Sequence, residues 1–209
     1  MPRDARNVFL NVPFDDAYAP LFDALVFAAM ACGYRVRCAL EADDSGDIRL
    51  DKLVALIRES PSSIHDLSRI DLGKNDLPRF NMPFELGLAM GAKRFGATSR
   101  RRDRIKIMVE QPYKLPAYLS DLGGNDPTAH RGSPAAVIRI VRNHLHRTPR
   151  GGIPAGPAKL VRDFGRFKDE MPAIAERIEF EPDEIGSLKD YPTYVWCVAE
   201  FLRATSADA

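Results

Sequence analysis

Along the chain, short apolar runs alternate with longer stretches in which apolar residues recur every three or four positions, the pattern of strands interleaved with helices. Val8 to Val12 (VFLNV), bounded by Asn7 and Pro13, reads as a buried strand. Residues 19–32 follow as a helix with Leu21, Phe22, Leu25, Ala28, Ala29 and Cys32 on one face, and Gly33 stands where a C-cap glycine belongs. Tyr34 to Leu40 alternates with period two and gives a second strand. An acidic loop, Glu41 to Asp47, leads into a helix from Arg49 to Glu59, and Pro61 ends it. Ser62 to Leu67 is a third strand by its place in the alternation, and Ile105 to Val109 a fourth. Between them Pro83 to Lys93 is a helix opened by proline in its first turn. A short fifth strand is expected between Tyr113 and Leu122, and an amphipathic helix from Ser133 to His146. Such an order implies right-handed crossovers and an open, mainly parallel five-stranded sheet with helices on both faces.

After His146 the composition changes. Thr148 to Lys159 holds three prolines and three glycines in twelve residues and reads as a linker. The expected organisation is therefore an α/β domain over residues 1–147, a linker over 148–157, and a helical extension over 158–209. Helices are predicted over 158–178 and 191–203. This extension has few apolar anchors of its own, so it is expected to dock on the main domain or on a second copy of the chain, as a homo-oligomer.

The 209 residues suffice for one well-buried core, and 45% apolar with 28% charged residues is ordinary for a globular protein. Thirty basic and 29 acidic residues leave a formal charge of +1, which argues against general nucleic-acid or membrane-surface binding. The local exception is Arg100, Arg101, Arg102 and Arg104, interrupted by Asp103. Cys32, Cys38 and Cys197 form no CxxC pair and suit reduced thiols, so a cytoplasmic location is expected. The N-terminal stretch has no apolar run of signal-peptide length, and no window approaches the ~20 apolar residues of a membrane span.

In an open parallel sheet, ligands bind at the carboxyl ends of the strands, beside the switch in strand order. Three loops qualify: Asn11 to Asp16, Asp66 to Arg69, and Arg79 to Glu85. Each also has a plain structural reading. Asp15 and Asp16 cap a helix or shape a turn, and Asp66 and Ser68 sit where a strand becomes loop. Glu85 falls in the first turn of its helix, where the macrodipole favours a carboxylate by ~0.3–1 kcal/mol. Two features favour function. Phe84 and Leu86 flank Glu85, so desolvation would raise its pKa. The run Phe80 to Phe84 is apolar enough to line a pocket for a flat ring. The loop Gly123 to Asp126 with His130 admits a tight turn or a segment closing over the same sheet edge. GxGxxG, GxxxxGK[ST], GxSxG and HExxH patterns are absent, and the four histidines make no metal set with the cysteines.

VFLNVPFDD, IHDLS and RFNMPFELGLAMGAKR, in that order, resemble the nucleoside 2-deoxyribosyltransferase-like and TIR-like bacterial superfamily, in particular a branch with an FNMPFELG stretch. The resemblance covers residues 8 to 146. It implies a flavodoxin-like α/β fold, an acidic residue after the third strand that contacts a ribose (Asp66), and a helix-start glutamate that attacks or stabilises an anomeric carbon (Glu85). The implied activity is an N-glycosidase or glycosyl transferase acting on a nucleoside, nucleotide or NAD, which would be substrate and not resident cofactor. Glu85 is the catalytic candidate, and Asn11, Phe14, Asp66, Arg79 and Asn81 are the substrate-binding ones. The enzyme branch carries a glycine-polar stretch where this chain has Asn81 to Phe84, so a second reading stands beside the first: a non-catalytic nucleotide-sensing or protein-interaction module of the same fold.

Overall fold

The computed structural model describes residues 3–41, 46, 48–70, 79–112, 115 and 117–207. Its elements are β1 (Asn7–Asn11), α1 (Ala19–Ala31), β2 (Arg35–Arg37), α2 (Arg49–Glu59), β3 (Ser62–Asp66), α3 (Asn81–Phe95), β4 (Arg104–Val109), β5 (Thr128–Ala129), α4 (Pro134–His144), α5 (Pro157–Glu176) and α6 (Tyr191–Ala207). The strands form one all-parallel sheet in the order β2-β1-β3-β4-β5, the flavodoxin-like order, with its switch point between β1 and β3. The expected open α/β architecture with C-terminal helices is therefore present.

Two compact units make up the chain: Met1–Pro13 with Val36–Gly132, and Phe14–Arg35 with Ser133–Ala209. In the first, β3 pairs with β1 (Leu10 opposite Ile64) and with β4 (Asp66 opposite Met108), and β4 pairs with β5 (Met108 opposite Thr128). Residues opposite each other share a face. Phe9, Asn11, His65, Ile107 and Ala129 thus line one face, and Leu10, Ile64, Asp66, Met108 and Thr128 the other. α3 covers the first. Its Met82 and Leu86 pack with Leu67, Ile107 and Val109, while its Ala89 packs with Phe9 and with Leu56 and Ile57 of α2.

A buried polar bridge fixes where α3 begins. The Asn11 amide donates to His65 Nδ1 (3.0 Å) and to the Met82 carbonyl (3.0 Å). An Nδ1 that accepts must be unprotonated, so the neutral ring carries its proton on Nε2 and donates it to Ser63 Oγ (2.9 Å). This bridge stands in for the side-chain cap that the start of α3 lacks.

In the second unit, α5 and α6 pack against α1 and α4. The Phe27 ring lies against Phe164, Phe167 and Phe201. Buried Asp23 pairs with Lys168 (3.0 Å), accepts from the Ser187 N–H (3.1 Å), and accepts from Tyr194 Oη at its carbonyl (3.2 Å). The expected docking of the C-terminal helices thus takes place on helices of the same chain.

Three expectations need correction. The fifth strand is Thr128–Ala129, not a segment between 113 and 122; Tyr113, Lys114 and Pro116 lie outside the described residues, and Ala117–Gly124 is a 3-10 helix. Leu115, Leu119 and Leu122 recur at helical spacing and pack beside Ile107 and Val109, so their apolar character belongs to a helical face. β2 stops at Arg37 because the Glu41 carboxylate accepts from the Cys38 N–H (2.8 Å) and from Arg37 Nε (2.7 Å), diverting the backbone from the ladder. α3 starts at Asn81, two residues early: Pro83 still falls in the first turn, where its missing N–H has no intrahelical acceptor.

Burial holds the His65 pKa down to about 3. Unfolded histidine titrates near 6.5, so between about pH 6.5 and 3 the unfolded chain binds the extra proton and stability falls with falling pH, by ~1.4 kcal/mol per pH unit for this group. Urea unfolding of wild type and His65→Gln from pH 7 to 5 should show the steeper loss in wild type. Equal slopes would mean that His65 is not the group being titrated.

Candidate functional site

The carboxyl edge at the β1–β3 switch point is where this fold presents ligand sites. Asn11 closes β1 there, Asp66 closes β3, and the Asn11 bond to the Met82 carbonyl brings the start of α3 to the same edge.

On α3, residues three and four apart share a face, so Asn81, Phe84, Glu85 and Leu88 form one strip, with Asn81 and Glu85 Cβ atoms about 5–6 Å apart. Asn81 is exposed, Phe84 is 53% exposed, and Glu85 is half-buried. Below them Leu88 and Ala92 pack toward Leu53 and Leu56 of α2, so the strip faces the α2 side. Burial pushes the Glu85 pKa up to about 7, against the opposing pull of the Arg49 guanidinium at the start of α2. Among the described residues no hydrogen bond or ion pair reaches its carboxylate. Because α3 begins at Asn81, Glu85 is its fifth residue and lies beyond the first turn, so the helix-dipole account of this acid does not hold. Phe80, 55% exposed, stands edge-on to Tyr118 (5.5 Å), whose hydroxyl donates to the Ile70 carbonyl (2.8 Å).

Asp66 lies on the opposite face of the sheet from α3 and is fully buried. It accepts from the Ser68 N–H (2.9 Å) and from Ser68 Oγ, and sits 3.1 Å from His130 Nε2. The Gly132 N–H donates to His130 Nδ1 (3.0 Å), which fixes the neutral tautomer with the proton on Nε2, shared between Asp66 and Ser68 Oγ (2.7 Å). Asp66 and Ser68 thus meet the same ring nitrogen. A nucleophilic triad needs carboxylate and hydroxyl on different nitrogens, so the ring can take a proton from the serine. Here the serine hydroxyl donates to the carboxylate instead, and the cluster is a clasp joining the loop after β3 to the turn after β5. Arg131 and Gly132, with φ of 55° and 68°, form the left-handed turn that carries the ring into it.

The structure brings Asn81 and Glu85 onto one strip and joins Asn11 to the start of their helix. It leaves Asp66 on the other face, its acceptors engaged by Ser68 and His130. Arg79 is exposed just before α3. Phe14 belongs to the helical unit, 38% exposed, its ring edge against Phe22 at 5.5 Å. His65 and His130 carry structural roles that the sequence did not assign. The one available signal was the His-Arg-Gly-Ser-Pro run ahead of α4, where a glycine beside an N-cap serine marks a tight turn. No protein-family description matches the chain, and no curated protein matches it.

Ser68→Ala and His130→Ala each remove a donor from buried Asp66 and should cost ~1–3 kcal/mol. In the double variant the losses should fall short of their sum, because one network is broken twice. Urea unfolding of the four proteins measures this, and strict additivity would dissolve the clasp into independent contacts.

Proposed function

We propose that this chain is an N-glycosidase or glycosyl transferase acting on a nucleoside, nucleotide or NAD, with Glu85 as the carboxylate beside the anomeric carbon. The observation that carries the reading is a half-buried, unpaired carboxylate with a pKa of about 7, one turn from exposed Asn81 and next to exposed Phe84. N-glycoside cleavage passes through an oxocarbenium-like state, which an adjacent carboxylate stabilises by charge or by a covalent bond. Burial without a counter-ion leaves that charge unneutralised until the sugar becomes cationic, so the interaction is strongest in the transition state. Asn81 offers an amide to ribose hydroxyls, Phe84 and Phe80 offer faces to a base, and Arg79 offers charge to a phosphate. Asp66 supports the loop after β3 and does not hold the sugar.

A second reading, a nucleotide-sensing or protein-interaction module without chemistry, draws on the separation of the two carboxylates: Asp66 is engaged within the protein, on the face away from α3. In either case the partner is a small nucleotide or nucleoside. Half-exposed Trp196 on α6 supports a homo-oligomer through the C-terminal helices, and three buried free cysteines agree with a cytoplasmic setting. Among the described residues no helix is long and apolar enough to cross a membrane.

The test incubates the protein with NAD and a panel of nucleosides and nucleotides and follows released base by chromatography. Glu85→Gln should lose turnover by ~100-fold or more while ligand affinity stays within about threefold. Its thermal midpoint at pH 8 should not fall, because the substitution removes a charge that burial disfavours. Binding without base release supports the sensing module, and unchanged turnover in the variant removes Glu85 from the chemistry.

A further inference from the structure

At the amino edge of the sheet, away from the strand ends just described, lies an open cavity of about 240 Å³. Ser60, Arg100 and Asp103 line it over an apolar floor of Ile57, Ala89 and Ile105. Ser60 lies two residues before β3 and Asp103 immediately before β4, so both are set by strand starts. Asp103 is buried and shared by two guanidiniums: Arg3, and Arg100 through Nη1 at 3.1 Å. Arg100 is further held by the Ile57 carbonyl (3.3 Å). It can run this close beneath the end of α3 because residue 96 is glycine; a Cβ there would stand 2.8 Å from Arg100 Cδ and 2.3 Å from the Ala92 carbonyl oxygen.

Two groups around this cavity lack partners. Ser60 is 5% exposed, yet its Oγ has no hydrogen bond among the described residues, and the same holds for buried Arg3 Nε. A buried polar group without a partner costs ~1–3 kcal/mol, so two in one place mark a position where another molecule supplies acceptors. The charge balance gives its sign. Two guanidiniums on one carboxylate leave a positive charge, and exposed Arg101 and Arg102 extend it at the rim. A cation is repelled, and an apolar molecule would leave the donors unmet.

We propose that this cavity binds a phosphate group, with Ser60 Oγ and the Arg3 and Arg100 guanidiniums as donors. Phosphate presents several acceptor oxygens to a forked guanidinium and a hydroxyl at once, which a monatomic anion does not. The group is free inorganic phosphate or the phosphate of a nucleoside monophosphate. The site is separate from Glu85 and does not rest on the glycosidase reading.

Isothermal titration of the full chain with inorganic phosphate and with a nucleoside monophosphate, against chloride at matched ionic strength, tests it. Saturable phosphate binding that chloride does not reproduce is expected, and saturation by the monophosphate alone would assign the site to a monoester. Ser60→Ala should weaken binding about fivefold or more without lowering the thermal midpoint of the ligand-free protein, since the hydroxyl it removes has no partner. Arg101→Gln combined with Arg102→Gln should weaken binding and flatten its salt dependence. Glu85→Gln should bind phosphate as wild type does. Absence of saturable binding by both ligands, an equal response to chloride, or unchanged affinity in Ser60→Ala would overturn the proposal.

Discussion

Two N–H bonds from one side-chain amide hold the candidate site in place. Asn11, at the last position of β1, reaches His65 on β3 and the Met82 carbonyl in the first turn of α3. The bonds are buried, so breaking them leaves unsatisfied groups at ~1–3 kcal/mol each, against a typical total stability of ~5–15 kcal/mol. The bridge tolerates no protonation of the imidazole, because Nδ1 must accept, and burial enforces that by keeping the ring neutral. With the start of α3 anchored, the apolar positions Met82, Leu86 and Ala89 seat the helix on the sheet, and its rotation then follows. That rotation turns Asn81, Phe84 and Glu85 toward α2. The chemistry proposed for Glu85 is thus a downstream consequence of a hydrogen bond made by a different strand.

The two carboxylates at this edge of the sheet have opposite surroundings. Asp66 is fully buried but surrounded by donors, from the Ser68 backbone and hydroxyl and from His130. Glu85 is less buried and has none, so desolvation is left to dominate and its pKa moves up to about 7. A carboxylate bound by several donors is committed to structure. One that is desolvated and unpaired is kept for an external partner.

Much of the architecture was legible from apolar periodicity. α1, α2, α4 and β1 fall within two residues of where spacing places them, because each buries a whole face or a whole run. The departures occur where another interaction outweighs the pattern. β5 is two residues long, too short to alternate, while the nearby leucines serve a 3-10 turn. β2 is cut short by a side chain, Glu41, that no periodicity reveals. At the site, Glu85 and Asn81 could be placed together because one helix relates them. The relation of Asp66 to Glu85 depends on which sheet face each side chain meets, and that follows from register, which the sequence does not display. His130 was obscure for the same reason: its partners are 62 and 64 positions away in the chain.

The central claim is that Glu85 is a carboxylate held ready to change charge near neutral pH, and its own titration tests this directly. Carboxyl carbon NMR of glutamate-labelled protein, with Glu85→Gln to assign the signal, reads that titration. A midpoint at about 7 is predicted. A midpoint near 4.3, the ordinary glutamate value, would contradict the account.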